Sequence, residues 1–538
     1  MIRYRSEKQR TLDGFETPFQ VALDAENRWV KLSECIPWDE LAEGYYAGLS
    51  LSRGRPAKDA RLVIAAVIIK HKLCLSDEET VQQIQENPYL QYFAGLPGFT
   101  NEAPFAPALF VEIRKRMSQA VFESFHQSIV DAVQLHKPGG RRGTGGSATP
   151  SKEGSDRDED PPGGGVQDKS TVELVEPAQG PDRHGKLILD ATVAEQAIRY
   201  PTDLSLLNEA RQFSEQIIDL LYPRTGWARK PRTYRQKARQ SFLAVAKQRR
   251  AGHKVRRRAI KEQLQYLRRN LGHIARLMDT WPMGTPIPLP RWLLHRYWVI
   301  QHLYDQQWQM YRANTRRCAH RIVSISQPHV RPIVRGKQDK AVEFGAKLSV
   351  SLDGQGLARI DHLRWDAFHE GHDLPAQVEA YRRRCGHYPD VVLADPLYGT
   401  RANRRYLKAL GIRFAGKPLG RPKKLTEENR EELQRLKTQR REEYLQRIPI
   451  EGKFGQGKNG YRLNYIRAKR ADTSAAWINS IFLVMNLLVL LRAFFALCFR
   501  AAVGAISDLT AIIHQATARI QSLRFRSPQA AFTLALIY

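Results

Sequence analysis

The chain has 538 residues, well past the roughly 250–300 at which a single hydrophobic core stops growing, so several structural units are expected. Lys and Arg number 85 against 55 Asp and Glu, and the net charge of +30 favours a polyanionic partner, nucleic acid first, although a generic basic protein shows the same balance. The five cysteines (Cys35, Cys74, Cys318, Cys385, Cys498) have no C-x-x-C spacing, which argues against structural zinc and fits a reducing cytoplasm; the N-terminal stretch MIRYRSEKQRTLDGF has charge but no apolar run, so no signal peptide is expected.

In chain order, residues 1–136 read as a compact, all-helical domain. Pro56 is placed to open a helix carrying Leu62, Ala65, Ala66 and Ile69 at helical spacing, and Ser76-Asp77-Glu78-Glu79 fits a capping box at the next. Asn87-Pro88 restarts the chain, and Leu109, Ile113 and Met117 mark another helix. Such a cluster holds a DNA-reading helix-turn-helix or merely packs; with no basic residues clearly on one recognition helix, both readings stand. Residues 137–183, rich in Gly, Pro, Ser and charge, read as a disordered linker.

From Lys186 the run LILDATVA is apolar and β-prone, and it delivers Asp190 near its end, though a lone Asp there is equally a turn residue. Helices return over about 204–320, with a very basic stretch at 224–269 that contains Trp227, Tyr234 and Tyr266. Cations with interleaved aromatics suit phosphate neutralisation, and Arg256, Arg257 and Arg258 are the residues expected to touch DNA; Leu243, Val245, Ile260 and Leu264 fit a packing stripe as well. Strands follow at 330–336 and 343–365, then a helix around Pro375 to Arg384, a buried strand DVVLADPLYG (390–399) ending in Asp395, and a short strand at 412–418. With the insertion set aside, this is the α/β layout of a ribonuclease H-like core, a mixed sheet flanked by helices. The apolar run Trp477 to Leu497 contains Asn479, Ser480, Asn486 and Arg492 and reads as a buried helix, with no membrane span expected.

The most specific signal is REEYLQRIPIEGKFGQGKNGYRL (441–463), in which Tyr444, Arg447, Glu451 and Lys458 stand as Tyr-x2-Arg-x3-Glu-x6-Lys. Taken alone, i,i+4 spacing describes an ordinary helix with Arg447–Glu451 and Glu451–Lys458 contacts. Gly452, Gly455 and Gly457 weaken the later turns, which puts Lys458 on a loop. The pattern is similar to the signature of DDE transposases of the insertion-sequence four and five groups, including their group-1182 relatives. KLILDATVAEQAIRYPTDLSLL resembles the first-Asp region of that family, SISQPHVRPIVRG and EFGAKLSVSL its next two strands, and VVLADPLYGTRANRRYLKALGIR its second-Asp region. The likeness covers most of residues 1–490 and neither the linker nor the tail after Arg500.

The resemblance implies a catalytic triad of Asp190, Asp395 and Glu451 holding two Mg2+ (or Mn2+) ions, for which hard carboxylate oxygens are suited, in an enzyme that cleaves DNA and transfers the freed strand. It also implies that Tyr444, Arg447 and Lys458 grip the DNA backbone, Arg447 and Lys458 as phosphate contacts and not as partners of Glu451. Pro396-Leu397-Tyr398 departs from the basic residue, Gly and aromatic more usual after the second Asp. Asp353, Asp361 and Asp366 are competing acids not expected to bind metal. Arg53-Gly54-Arg55-Pro56 and Leu419-Gly420-Arg421-Pro422-Lys423-Lys424 look like minor-groove hooks; helix entry explains the first equally well, and of the second Arg421, Lys423 and Lys424 are expected on DNA. His369-Glu370-Gly371-His372 lacks zinc-protease spacing and reads as a capped turn, and no phosphate-binding G-x-x-x-x-G-K-[ST] loop occurs. The expected units are an N-terminal DNA-binding domain (1–136), the linker (137–183), a catalytic domain (184–500) and a tail of unassigned role (501–538). The expected function is transposition: a homodimer on double-stranded DNA, engaging terminal inverted repeats and target in the bacterial cytoplasm at the nucleoid. The alternative is a catalytically decayed copy that only binds DNA as a repressor.

Overall fold

The structure, a computed structural model, describes residues 22–50, 56–135, 182–282, 284–334, 341–420, 426–427 and 429–524. The linker, apart from its last two residues, the Arg53 hook, and Arg421, Lys423 and Lys424 lie outside the described residues.

Seven helices come first: α1 (Arg28–Cys35), α2 (Trp38–Tyr46), α3 (Ala60–Lys72), α4 (Asp77–Glu86), α5 (Pro88–Phe93), α6 (Leu109–Arg116) and α7 (Gln119–Leu135). The helix expected to open at Pro56 starts four residues later, because Asp59 supplies the side-chain acceptor for the free amides of Arg61 and Leu62 that proline cannot. Ser76 and Glu79 close the expected capping box on α4. Every residue of α3 from Ala60 to His71 is buried. A helix apolar all round must be enclosed on all sides.

The central strand β1 (Lys186–Glu195) is followed by the helical insertion α8 (Asp203–Leu221), α9 (Arg235–Ala246), α10 (His253–Asp279) and α11 (Arg291–Arg312). The insertion has cores of its own, one around Leu207, Leu264, Leu267 and Ile300 and one around Ile218, Ile274 and Leu293. The packing stripe and the basic surface coexist on α10: Leu264 and Leu267 are buried while Arg256 and Arg258 are exposed.

The chain then returns to the sheet through β2 (Arg331–Val334), β3 (Val342–Leu352) and β4 (Ala358–Arg364), followed by α12 (Leu374–Cys385), β5 (Val391–Ala394), α13 (Arg401–Ala409), β6 (Arg413–Ala415), α14 (Arg430–Gly460) and α15 (Ala471–Arg524). Strand β3 runs antiparallel to β1 and carries β2 and β4 in succession on its other edge; β5 pairs parallel with β1, and β6 parallel with β5. Alternation along β1 sends Leu187 and Leu189 to a core with α12 and α13, and Ile188 to a core with α14 and α15. Asp190, two residues after Ile188, therefore belongs to the α14 side.

The glycines after Glu451 do not end α14, which continues to Gly460 with Pro449 inside it, so Lys458 stands on the helix and not on a loop. Gly457 has a packing reason: a Cβ there would come within 3.2 Å of Leu463 and 3.6 Å of Met485. Ala471–Ala496 is long and apolar enough to cross a membrane, but it packs against α3, α6, α7 and β4 as the expected buried helix. The boundary expected at residue 500 falls inside the unbroken α15.

Candidate active site

Asp190 and Asp395 become neighbours through strand pairing. Leu189 is in register with Ala394 across the parallel β1–β5 pair, so the next residue on each strand is one of the two aspartates, at a spacing of about 5 Å between strands. Asp395 then caps a 3-10 turn over Pro396–Tyr398, its side chain accepting from the Leu397 amide at 3.3 Å. Proline is well placed at the first position of such a turn, where no amide is needed. The departure after the second Asp thus leaves the carboxylate at the strand end and buries Tyr398 beneath it.

Glu451 stands on α14, which packs on β1 and β5. At 3.6 residues per turn, Tyr444, Arg447, Glu451 and Lys458 fall within about 60° of one another around the helix. Arg447 is the link. One nitrogen donates to Asp190 Oδ2 at 3.1 Å and the other to Glu451 Oε1 at 2.5 Å. This corrects the expectation that Arg447 would not pair with Glu451: the i,i+4 spacing and the inward face of α14 bring the guanidinium fork between Asp190 and Glu451, two carboxylates of the expected triad. Its guanidinium also lies 5.8 Å from the centre of the exposed Tyr444 ring. Lys458 pairs with the buried Glu343 of β3 at 3.5 Å, not with Glu451.

Burial pushes the Asp190 carboxyl up to about 6, reinforced by the negative charges of Glu370 and Asp395 and opposed by the Ala191 amide and Arg447. Glu370 is the acid that sequence reasoning passed over. It lies in the short 3-10 turn Glu370–His372 inside the segment read only as a capped turn, and it is held by Lys347 at 2.8 Å. The local sequence gave no sign of it, because its approach to Asp190 depends on that turn packing on the Pro396–Tyr398 turn. Among the described residues no group of three His, Cys, Asp or Glu side chains is gathered closely enough to hold a metal ion. Asp353 and Asp361 are engaged elsewhere. Asp353 accepts from the amides of Gln355 and Leu357 in the β3–β4 turn, and Asp361 accepts from Gln377 and pairs with Arg359.

Beyond the end of β1, a cavity of about 680 Å³ opens between the insertion and the edge of the sheet, lined by Arg199, Tyr200, Arg256, Arg257, Arg316 and Arg321 among others. The three consecutive arginines expected on DNA divide there. Arg256 is exposed on the cavity wall. Arg257 ties α10 to α11, donating to Asn314 at 2.9 Å and to the Tyr311 carbonyl at 3.0 Å while stacking on the Tyr311 ring. Arg258 is exposed and paired with Glu262 at 3.1 Å. Tyr200, 70% exposed, stands at the mouth.

Residues 392–488 match the family described as a transposase DDE domain, and residues 18–116 match one described as a transposase domain (DUF772). Two separate stretches of the chain, one of them carrying Asp395, Arg447, Glu451 and Lys458, are thus similar to transposase domains. The chain is also 34% identical over 124 residues to an uncharacterized protein, ORF8 of the nfe locus of Rhizobium meliloti. That alignment takes in 22% of this chain and 58% of the relative, so the chain spans little more than half of the relative it matches. No solved structure matches.

Proposed function

We propose that the protein binds the ends of an insertion sequence and carries out divalent-metal-dependent DNA cleavage and strand transfer, with Asp190, Asp395 and Glu451 as the catalytic carboxylates. The observation that supports the proposal is the β1–β5 pairing, which puts Asp190 and Asp395 at neighbouring strand ends, together with Arg447, which bonds both Asp190 and Glu451. The sheet supports a ribonuclease H-like core, since the run β4-β3-β1-β5-β6 has three antiparallel strands followed by two parallel ones, with helices on both faces.

The donor chemistry of Asp190, Asp395 and Glu451 suits a divalent ion, although their side chains are not gathered closely enough to enclose one. The donors are hard carboxylate oxygens, and a cation beside Asp190 would offset the burial that raises its carboxyl to about 6. Asp190, Asp395 and Glu451 would hold Mg2+ or Mn2+, which when bound supplies Lewis-acid polarisation of the phosphodiester and acidifies water. The chain's own side chains do the rest. Arg447, whose fork suits a phosphate as well as it suits carboxylates, holds the backbone beside the triad. Exposed Tyr444 lies one turn away on the same face, and Arg256 on the cavity wall meets the DNA further along. Lys458 is assigned to the backbone with them, and on sequence alone so are Arg421, Lys423 and Lys424. Two copies act on paired ends in the bacterial cytoplasm.

The test uses a supercoiled plasmid carrying the inverted repeats that flank the gene, with Mg2+. The expected result is nicking at the repeat ends that leaves 3′-hydroxyls, lost in Asp395→Asn while the gel shift persists. A wild-type protein that shifts the repeats and never cuts them would instead support the repressor reading.

A further inference from the structure

Arg447 lies between two of the acids of the candidate site. Its side chain is 15% exposed, and the guanidinium donates to Asp190 Oδ2 at 3.1 Å and to Glu451 Oε1 at 2.5 Å. Asp190 has its other oxygen on the Ala191 amide at 2.8 Å, so both of its oxygens are taken within the chain. Asp395 stays outside this bridge and accepts from the Leu397 amide at 3.3 Å. The neighbouring cations are bound elsewhere: Lys347 to Glu370 at 2.8 Å and to the Phe368 carbonyl at 2.7 Å, and Lys458 to Glu343 at 3.5 Å.

An arginine fork and a divalent ion compete for carboxylates on the same terms. Both bind through the negative charge, and at Asp190 Oδ2 and Glu451 Oε1 they contend for the same oxygens. Mg2+ takes a near-octahedral shell with short oxygen contacts, which two carboxylates turned towards a planar guanidinium do not present. This accounts for acids that suit an ion in their chemistry and yet are not gathered around one. The fork also has an exit. Tyr444, 58% exposed, lies one turn away with its ring centre 5.8 Å from the guanidinium, and a phosphate arriving there offers the same bidentate match as a carboxylate.

We infer that Arg447 is a lock on the candidate site: it holds Asp190 and Glu451 in the free chain, and a DNA phosphate draws it off before the three carboxylates close on an ion. The inference rests on the reading of Asp190, Asp395 and Glu451 as the acids that hold the ion. Its content is an order of events. Once the fork leaves for a phosphate, the three acids carry negative charge with no cation between them, which is the charge a divalent ion offsets. The free chain therefore binds the ion weakly, and DNA and ion each strengthen the binding of the other by the same factor. The ion is taken up only where a backbone already lies beside the site.

The test is binding, not cleavage. Mn2+ is titrated into the free full chain and into its complex with a duplex that ends at the last base pair of the inverted repeat. The Asp395→Asn chain, treated in the same way, supplies the background from DNA and surface acids. The wild type is expected to gain about tenfold or more in Mn2+ affinity on binding the duplex, and Mn2+ to tighten duplex binding by the same factor. Arg447→Gln is expected to bind Mn2+ in the free state as tightly as the wild-type complex does, with the coupling lost. Arg441→Gln removes the same charge from an exposed position on the same helix and is expected to keep both the weak binding and the coupling to within about twofold. The coupling in the wild type needs no variant at Arg447, so it decides the matter even if that substitution unfolds α14. Equal Mn2+ affinity with and without the duplex, in a chain that Asp395→Asn still weakens, overturns the lock and leaves the acids as ion ligands. A folded Arg447→Gln chain that binds Mn2+ no tighter than the free wild type overturns it too. Isotherms identical for the wild type and Asp395→Asn in both states overturn the reading of the three acids, and the lock with it.

Discussion

Two helical regions of this chain, similar in size, are used in opposite ways. The N-terminal helices α1–α7 bury themselves with the first half of α15: Ala476, Leu483, Val484, Leu487 and Leu490 belong to the same core as Leu41, Ile64, Ile68, Phe93 and Phe125. Their cations turn inward. Lys70 and Arg114 share Asp77 at 2.9 and 2.8 Å and cover the face of Trp477. The insertion α8–α11 closes small cores of its own and, although it buries Arg211 against Glu215 on α8, leaves the cations of α9 and most of those of α10 at the surface. Helical content and basic charge are therefore poor guides to which region meets DNA. What distinguishes Lys70 and Arg114 from the exposed cations of α9 and α10 is a shared acidic partner, Asp77.

Several measurements would break or sharpen that contrast. The largest expected effect lies at the candidate site itself: Glu451→Gln should lower end cleavage by about a thousandfold or more with DNA affinity unchanged, because removing a negative charge does not weaken contact with phosphate. Next is the shared core. Trp477→Ala should cost about 3–5 kcal/mol and lower the melting temperature of the whole body, whereas Leu264→Ala, at about 2–4 kcal/mol, should melt the insertion in a separate earlier transition. A single transition in both variants would show that the insertion is no independent unit.

The arginine row is the finer test. Arg256→Gln should flatten the slope of log affinity against log salt by up to about 0.9. Arg257→Gln should destabilise the α10–α11 pair, and an equal loss of slope in the two would erase the distinction between them.

The smallest expected effect is on pH. The Asp190 carboxyl, raised from its ordinary 3.8 to about 6, keeps its proton in the folded chain after the unfolded chain has lost it. Stability is therefore lost as pH rises from about 4 through 6, and Asp190→Asn should raise the melting temperature near pH 7.5 and leave it unchanged near pH 4 when measured in EDTA. A shift of equal size at both values would mean that Asp190 is not strained by its surroundings.

The sequence by itself determined what is local or periodic. The caps at Ser76 and Glu79, the apolar strands ending near Asp190 and Asp395, the amphipathic α10 and the one-faced Tyr-Arg-Glu-Lys spacing of α14 follow from residue type and repeat, and they were legible without coordinates. The tertiary structure alone decided who meets whom. That Arg447 bridges Asp190 and Glu451, that Lys458 turns to Glu343, that Glu370 presses on Asp190 and that Arg257 is tied to Tyr311 while Arg256 stays exposed all depend on contacts between segments tens to hundreds of residues apart. A side chain with several potential partners is assigned to one of them only when packing fixes the distances, and no local pattern carries that information.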